Sequence, residues 1–124
     1  MTSPDGITWT PRAVALGSIS GISLRGISYN GGYYVVVSNS SNISLKSSDG
    51  INWIFSIIAN ASGMFGIASN GTALAAVGIN TISSIDGTNW AVSANGTTNW
   101  LYGVAYGAGR FAAVGQGGTI LTSP

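Results

Sequence analysis

Asp5, Asp49 and Asp86 are the only acidic residues in the chain, and all three stand in one setting: SPDGITW (3–9), SSDGINW (47–53) and SSIDGTNW (83–90). A carboxylate can act as a general acid or base, as a nucleophile toward a sugar, or as a ligand for a hard cation. Each role needs partners. Hydrolysis by a carboxyl pair needs a second carboxyl across the scissile bond, and a Ser–His–Asp triad needs histidine. The chain has no histidine, no cysteine and no glutamate. Its aspartates are spaced 44 and 37 residues apart in equivalent places, so they do not converge on one ion. No enzyme activity, catalytic residue, metal or cofactor is therefore expected.

An Asp before Gly instead suits a tight hairpin. The carboxylate accepts backbone N–H groups in an Asx-type arrangement, and Gly6, Gly50 and Gly87 permit positive φ. Ser3, Ser47 and Ser84 add a hydroxyl bond, while Trp9, Trp53 and Trp90 cover the hairpin with apolar area. In the third copy Ile85 stands where the others have Pro4 and Ser48. A carboxylate held by such donors stays ionised and is a poor proton acceptor.

These hairpins belong to a larger repeat. LRGISYNGGYYVVVS (24–38), MFGIASNGTALAAVG (64–78) and LYGVAYGAGRFAAVG (101–115) align without gaps, and each precedes an I-x-x-S stretch. The period is close to 40 residues, a length typical of repeat architectures. Within a period, short apolar or alternating runs are separated by Gly/Asn/Asp turns, the pattern of antiparallel strands. In the first repeat the strands are expected at 24–29, 33–38, 43–48 and 51–57. Four short strands per repeat describe propeller blades, preferred here over a β-solenoid with shorter coils. The expectation is an all-β chain of three four-stranded blades, twelve strands in all, with blades near 5–48, 49–85 and 86–124 and residues 1–4 completing a strand of the closing blade.

S-x-D-G-x-[TN]-W resembles the Asp-box of BNR-like repeats in sialidase-type β-propellers. The resemblance implies that the motif sits at the turn between the third and fourth strands of each blade. Catalytic propellers of that kind need an arginine cluster, a Tyr–Glu pair and a separate Asp acid. Glu is missing here and every Asp is committed to a hairpin. The Asn/Ser/Gly/Thr-rich repeats also resemble segments of phage tail, virion and bacterial surface proteins. More distantly they are similar to a photosystem-assembly propeller family. These likenesses imply a virion or extracellular surface setting and, as the alternative to a binding role, a purely structural one or that of a piece of a larger propeller.

Charge adds exclusions. Arg12, Arg25, Lys46 and Arg110 are scattered, and charged residues make up 6% of the chain. Neither a nucleic-acid footprint nor polybasic membrane attachment is expected. Apolar runs stay short of the roughly 20 residues a spanning helix needs, and residues 1–9 carry no signal-peptide pattern. Five N-x-[ST] sequons, at Asn39, Asn42, Asn60, Asn70 and Asn95, are explained by the abundance of Asn, Ser and Thr.

Any ligand is expected on the blade face formed by the loops between second and third strands (38–42, 78–80, 115–118) and between successive blades (11–22, 59–63, 94–100). Those loops are polar and almost uncharged, which suits neutral carbohydrate. Trp100 is the one tryptophan outside the hairpin motif, and stacking on a sugar and packing between blades both remain open for it. Asn99 is its neighbour. Arg25, Phe65 and Tyr102 share one aligned position at the start of the first strand. Three blades are too few for a ring of the usual four to eight. A head-to-tail homodimer forming a six-bladed ring is the expected partner arrangement.

Overall fold

The computed structural model describes residues 1–14 and 20–123. Part of the first inter-blade loop, 15–19, lies outside the described residues. Strands β1 (Leu24–Asn30), β2 (Tyr33–Ser38), β3 (Ile43–Ser47) and β4 (Ile54–Ile57) form sheet 1 in sequence order. Sheet 2 repeats this with β5 (Met64–Ser69), β6 (Leu74–Gly78), β7 (Thr81–Ser84) and β8 (Ala91–Ser93). Sheet 3 contains β9 (Leu101–Gly107), β10 (Arg110–Gly115) and β11 (Ile120–Ser123). Every pairing between neighbouring strands is antiparallel.

The turns follow from their residues. Between β1 and β2, Gly31 and Gly32 take positive φ, 55° and 113°. Between β5 and β6, the Asn70 side chain accepts the N–H groups of Thr72 and Ala73 at 2.9 and 2.7 Å, an Asx turn. Between β9 and β10, Ala108 joins Gly109 at positive φ, 50° and 78°. That conformation suits the twist of a two-residue hairpin although it is strained for alanine.

The sheets stack in sequence, with β5 against both β1 and β9. The larger core lies between sheets 1 and 2, where Val35, Val37 and Ile58 meet Met64, Ile67, Leu74, Ala76 and Ile82, with Tyr33 and Trp90 at its edge. The core between sheets 2 and 3 is smaller: Val77, Leu101 and Ala113, with Val104 and Leu121 packed against it. Consecutive antiparallel meanders, two of four strands and one of three, packed face to face through their inner strands are propeller-type architecture.

Two expectations need correction. The fourth strand of the first repeat begins at Ile54 and not at 51, because the N–H groups of Ile51 and Asn52 are taken by Asp49 and cannot enter the ladder. The Asp-Gly turn is thus longer than a two-residue hairpin. Sheet 3 has three strands, making eleven among the described residues instead of twelve. The hairpin of residues 2–10 is closed by a reciprocal Thr2–Thr10 backbone pair at 2.8 Å, the counterpart of Lys46–Ile54 and Ser83–Ala91 in sheets 1 and 2.

Candidate functional site

The three Asp-Gly hairpins share one geometry. Oδ1 of Asp49 accepts the N–H groups of Ile51 and Asn52, both at 2.8 Å. Asp86 does the same with Thr88 and Asn89, and Asp5 with Ile7 and Thr8. The serine two residues earlier donates its hydroxyl to the same oxygen and accepts the N–H of the glycine, at 2.9 Å for Ser47 with Gly50 and for Ser84 with Gly87. Ser3 repeats this with Asp5 and Gly6. In the second and third copies Oδ2 also receives the side-chain amide of Asn52 or Asn89. Thr8 occupies that place beside Asp5.

These donors favour the charged carboxylate. The backbone N–H of Asn52, then its side-chain amide, then the N–H of Ile51 hold Asp49 well below the usual carboxylate range. Asn89 and Thr88 act likewise on Asp86, and Thr8 and Ile7 lower Asp5. The carboxylates are thus held ionised by donors from their own turns. Among the described residues there is no cluster of three or more candidate metal ligands.

The Asp86 hairpin also locks sheet 2 to sheet 1, through Trp90 and through Tyr33, Ser44 and Lys46, whose part in this the sequence did not show. Lys46 on β3 donates to the main-chain oxygen of Asp86 and lies 4.1 Å from the centre of the Tyr33 ring. The Tyr33 hydroxyl donates to the Ile85 carbonyl at 3.2 Å. Trp90 donates its indole N–H to the buried hydroxyl of Ser44, also at 3.2 Å. Gly87 fits beneath because it has no Cβ: one would stand 2.7 Å from Val35 Cγ2 and 2.9 Å from Tyr33 Cε2. The second hairpin of the chain thus sits in a seat on sheet 1 built by Tyr33, Val35, Ser44 and Lys46.

The equivalent place on sheet 2 has smaller residues. The alignment puts Ala73 where Tyr33 stands, Ala75 at Val35, Thr81 at Ser44 and Ser83 at Lys46. All four line a cavity of about 450 Å3 between sheets 2 and 3, closed on the other side by Leu101, Val104, Phe111, Ala113 and Leu121.

The expected ligand residues come together in part. Phe65 stacks on Trp100 with ring centres 6.0 Å apart and meets Tyr102 edge-on at 5.3 Å. Trp100 remains 44% exposed and Tyr102 49%, so the group presents aromatic area to solvent. Trp100 thus packs across the sheet 2–sheet 3 boundary and keeps nearly half its surface open. Asn99 anchors the loop beneath by donating its amide to Thr119 Oγ1 at 2.8 Å. The Trp100 carbonyl accepts the N–H of Gln116 at 2.8 Å, which fixes the same loop from the other side. Arg25 lies apart from this group: it lines a separate cavity over sheet 1 with Met1, Arg12, Val14 and Trp53. The aligned position alone did not reveal this: sheet 3 brings Trp100 against Phe65, whereas sheet 2 has Gly63 in the place that Trp100 holds.

Sheet order and packing define an all-β chain of propeller type. No family model matches it, and no curated protein is similar to it. Fifteen chains of solved structures are similar. Among them is the structure of YCF48 bound to D1 peptide, 16% identical with a TM-score of 0.49, over 96% of this chain and 54% of that one. This chain spans about half the length of that structure's chain.

Proposed function

We propose that the chain is a non-catalytic binding module built from Asp-box propeller blades, and that the Phe65–Trp100–Tyr102 face takes a neutral carbohydrate. The observation that carries this reading is the half-open aromatic group formed by Phe65 of β5, Tyr102 of β9 and Trp100 of the loop before β9. Aromatic faces offer apolar area to the C–H faces of a sugar, and a few fixed polar groups set orientation. Gln116, Thr119 and Asn99 supply neutral donors and acceptors beside Trp100. The absence of nearby charge suits a neutral ligand over a sialylated one. Reaction chemistry finds no support, because each carboxylate is spent on its own turn.

A glycan array followed by calorimetry on the best neutral hit tests the reading. Trp100→Ala should weaken binding by at least tenfold, while Trp53→Ala, at a hairpin on the far side of sheet 1, should change it less than threefold in folded protein. Equal affinity of wild type and Trp100→Ala would assign that face to packing alone. Turnover of a glycoside that vanished in Asp49→Asn without a fall in melting temperature would overturn the non-catalytic reading.

A further inference from the structure

Asparagine side chains over most of this chain are spent inside the fold. Asn30 donates to the Tyr33 hydroxyl and accepts that of Ser69. Asn52 and Asn89 bind the carboxylates of their own hairpins, and Asn70 makes an Asx turn. At the boundary of sheets 2 and 3, Asn95 donates to Thr81 and Asn99 to Thr119, both at 2.8 Å. Asn39, Asn42, Asn60 and Asn80 differ: their side chains have no hydrogen-bond partner among the described residues.

All four lie in the loops at one end of sheets 1 and 2. Asn42, Asn60 and Asn80, with Ala61 and Ser62, line a crevice of about 390 Å3 between those sheets. Asn39 belongs to the same loop as Asn42, and its Oδ1 is buried without a partner, where buried polar atoms are ordinarily paired. The backbone beneath is tied. The N–H of Ile58 reaches the Asn42 carbonyl at 2.6 Å, that of Gly78 the Asn80 carbonyl at 2.9 Å, and that of Ile79 the Gly63 carbonyl at 3.1 Å. Asn60 takes a left-handed conformation, φ 60°, which asparagine tolerates better than most residues. Free amides thus stand on fixed loops, and no charged side chain lines the crevice.

An asparagine amide offers two donor hydrogens and an acceptor oxygen in one plane. A hydroxyl both donates and accepts, so two adjacent ring hydroxyls can satisfy one amide at both ends. A peptide would need apolar pockets for its side chains or an open strand edge. Ala61 is the one apolar residue in the crevice lining, and the N–H groups of Gly78 and Ile79 are already taken. The crevice also adjoins the aromatic group. Ser62 precedes Phe65 by three residues, which places their backbones at most roughly 10 Å apart.

We infer that the crevice is a second subsite of the carbohydrate face: a neutral oligosaccharide that stacks on Phe65, Trp100 and Tyr102 runs over the 59–63 loop, and its hydroxyls bind the amides of Asn42, Asn60 and Asn80 and the Ser62 hydroxyl. This rests on the carbohydrate reading of the aromatic group and narrows its ligand from a single sugar to a chain of sugars. The two subsites do different work. The aromatic group supplies apolar contact to one unit, while the amides read the hydroxyl pattern of the units beyond it. Because the loops are tied before the ligand arrives, little ordering is needed on binding.

The neutral glycan that binds best on an array, together with its monosaccharide unit, is the probe. Calorimetry on the full chain should show affinity rising at least tenfold from the single unit to the whole glycan. Asn60→Gly removes the amide and keeps the left-handed turn, which glycine adopts freely, so its melting temperature should stay close to that of wild type. It should bind the whole glycan at least fivefold more weakly, and adding Asn80→Ala should deepen the loss. In protein carrying isotope-labelled asparagine, the glycan should shift the side-chain amide signals of Asn42, Asn60 and Asn80 and leave those of Asn30 and Asn70 in place. If Trp100→Ala weakens the glycan while Asn60→Gly and Asn80→Ala do not, the crevice is no subsite and the aromatic site stands alone. If Trp100→Ala has no effect, or no neutral glycan binds, both readings fall. A neutral peptide that moves the same amide signals where no glycan does would overturn the assignment to carbohydrate.

Discussion

Gly78→Ala is the sharpest probe of how closely the strands of a blade approach. Gly78 closes β6 beside the register irregularity between Met64 and Gly66. A Cβ there would stand 1.9 Å from the Gly63 carbonyl oxygen and 2.8 Å from both Gly63 C and Met64 Cα. These are backbone atoms, so no side chain can swing aside. The two segments must separate by roughly 1.5 Å to reach ordinary van der Waals distance. That carries Gly63 O away from the N–H of Ile79, which it now accepts at 3.1 Å. Losing a backbone hydrogen bond costs about 1 kcal/mol, and strain in a packed region about 1–3 kcal/mol more. The expected loss is about 2–4 kcal/mol. For a chain of 124 residues each kcal/mol moves the melting temperature by about 4 °C, so the drop should be about 8–16 °C. Gly107→Ala is the control, since a Cβ there meets nothing within 4 Å. Calorimetry at one protein concentration decides. Sheet 1 already has Ser38 at the position of Gly78. If Gly78→Ala melts within about 2 °C of wild type, sheet 2 can adopt the opening of sheet 1 and the argument from close approach fails.

The hairpin carboxylates predict an acid dependence. Their folded pKa values lie below the ordinary 3.8, so the unfolded chain binds more protons in that window. Their contribution to stability is complete above the ordinary value and is lost as pH falls through the lower folded values. Asp49→Asn should therefore lower the melting temperature at pH 7 and much less at pH 2; equal effects at both would contradict the cause assigned to the shift. Trp90→Phe removes the indole donor to Ser44 and should cost about 1–2 kcal/mol in denaturant unfolding. In a cycle with Ser44→Ala the two effects should be non-additive, and additivity would mean that the bond contributes nothing.

The sequence was most legible where structure is local. Each hairpin places the partners of its Asp within three residues, and the aligned segments 24–38, 64–78 and 101–115 became β1–β2, β5–β6 and β9–β10. Strand starts were less legible: Ile51 reads as the beginning of an apolar run, but its N–H belongs to Asp49. Contacts between sheets were not legible. Lys46 and Asp86 O are 40 residues apart, and nothing in either local pattern announces the bond. The same holds for Phe65 on Trp100: alignment grouped Phe65 with Arg25 and Tyr102 by position, while packing joined it to Tyr102 and to Trp100 of the loop before β9 and left Arg25 at a separate cavity. The cavity beside Thr81 could have been suspected from the small Ala73 and Ala75 opposite Tyr33 and Val35, a size difference that gains meaning only when the sheets are stacked.

The way Tyr33 and Lys46 grip the neighbouring turn bears on how such a chain could grow and diversify. Both reach main-chain oxygens, those of Ile85 and Asp86, and the Ile85 side chain itself is 80% exposed. A grip on carbonyls reads the path of the backbone and is indifferent to the residue that supplies it. The carboxylate that sets this path finds its partners inside its own turn. A tandem copy that keeps Tyr33 and Lys46 therefore arrives with its fastening already made, whereas sheet 2 has Ala73 and Ser83 in those places. Its outward side chains are then free to drift after duplication without loosening the joint, while changes at Tyr33 or Lys46 act on the seam itself.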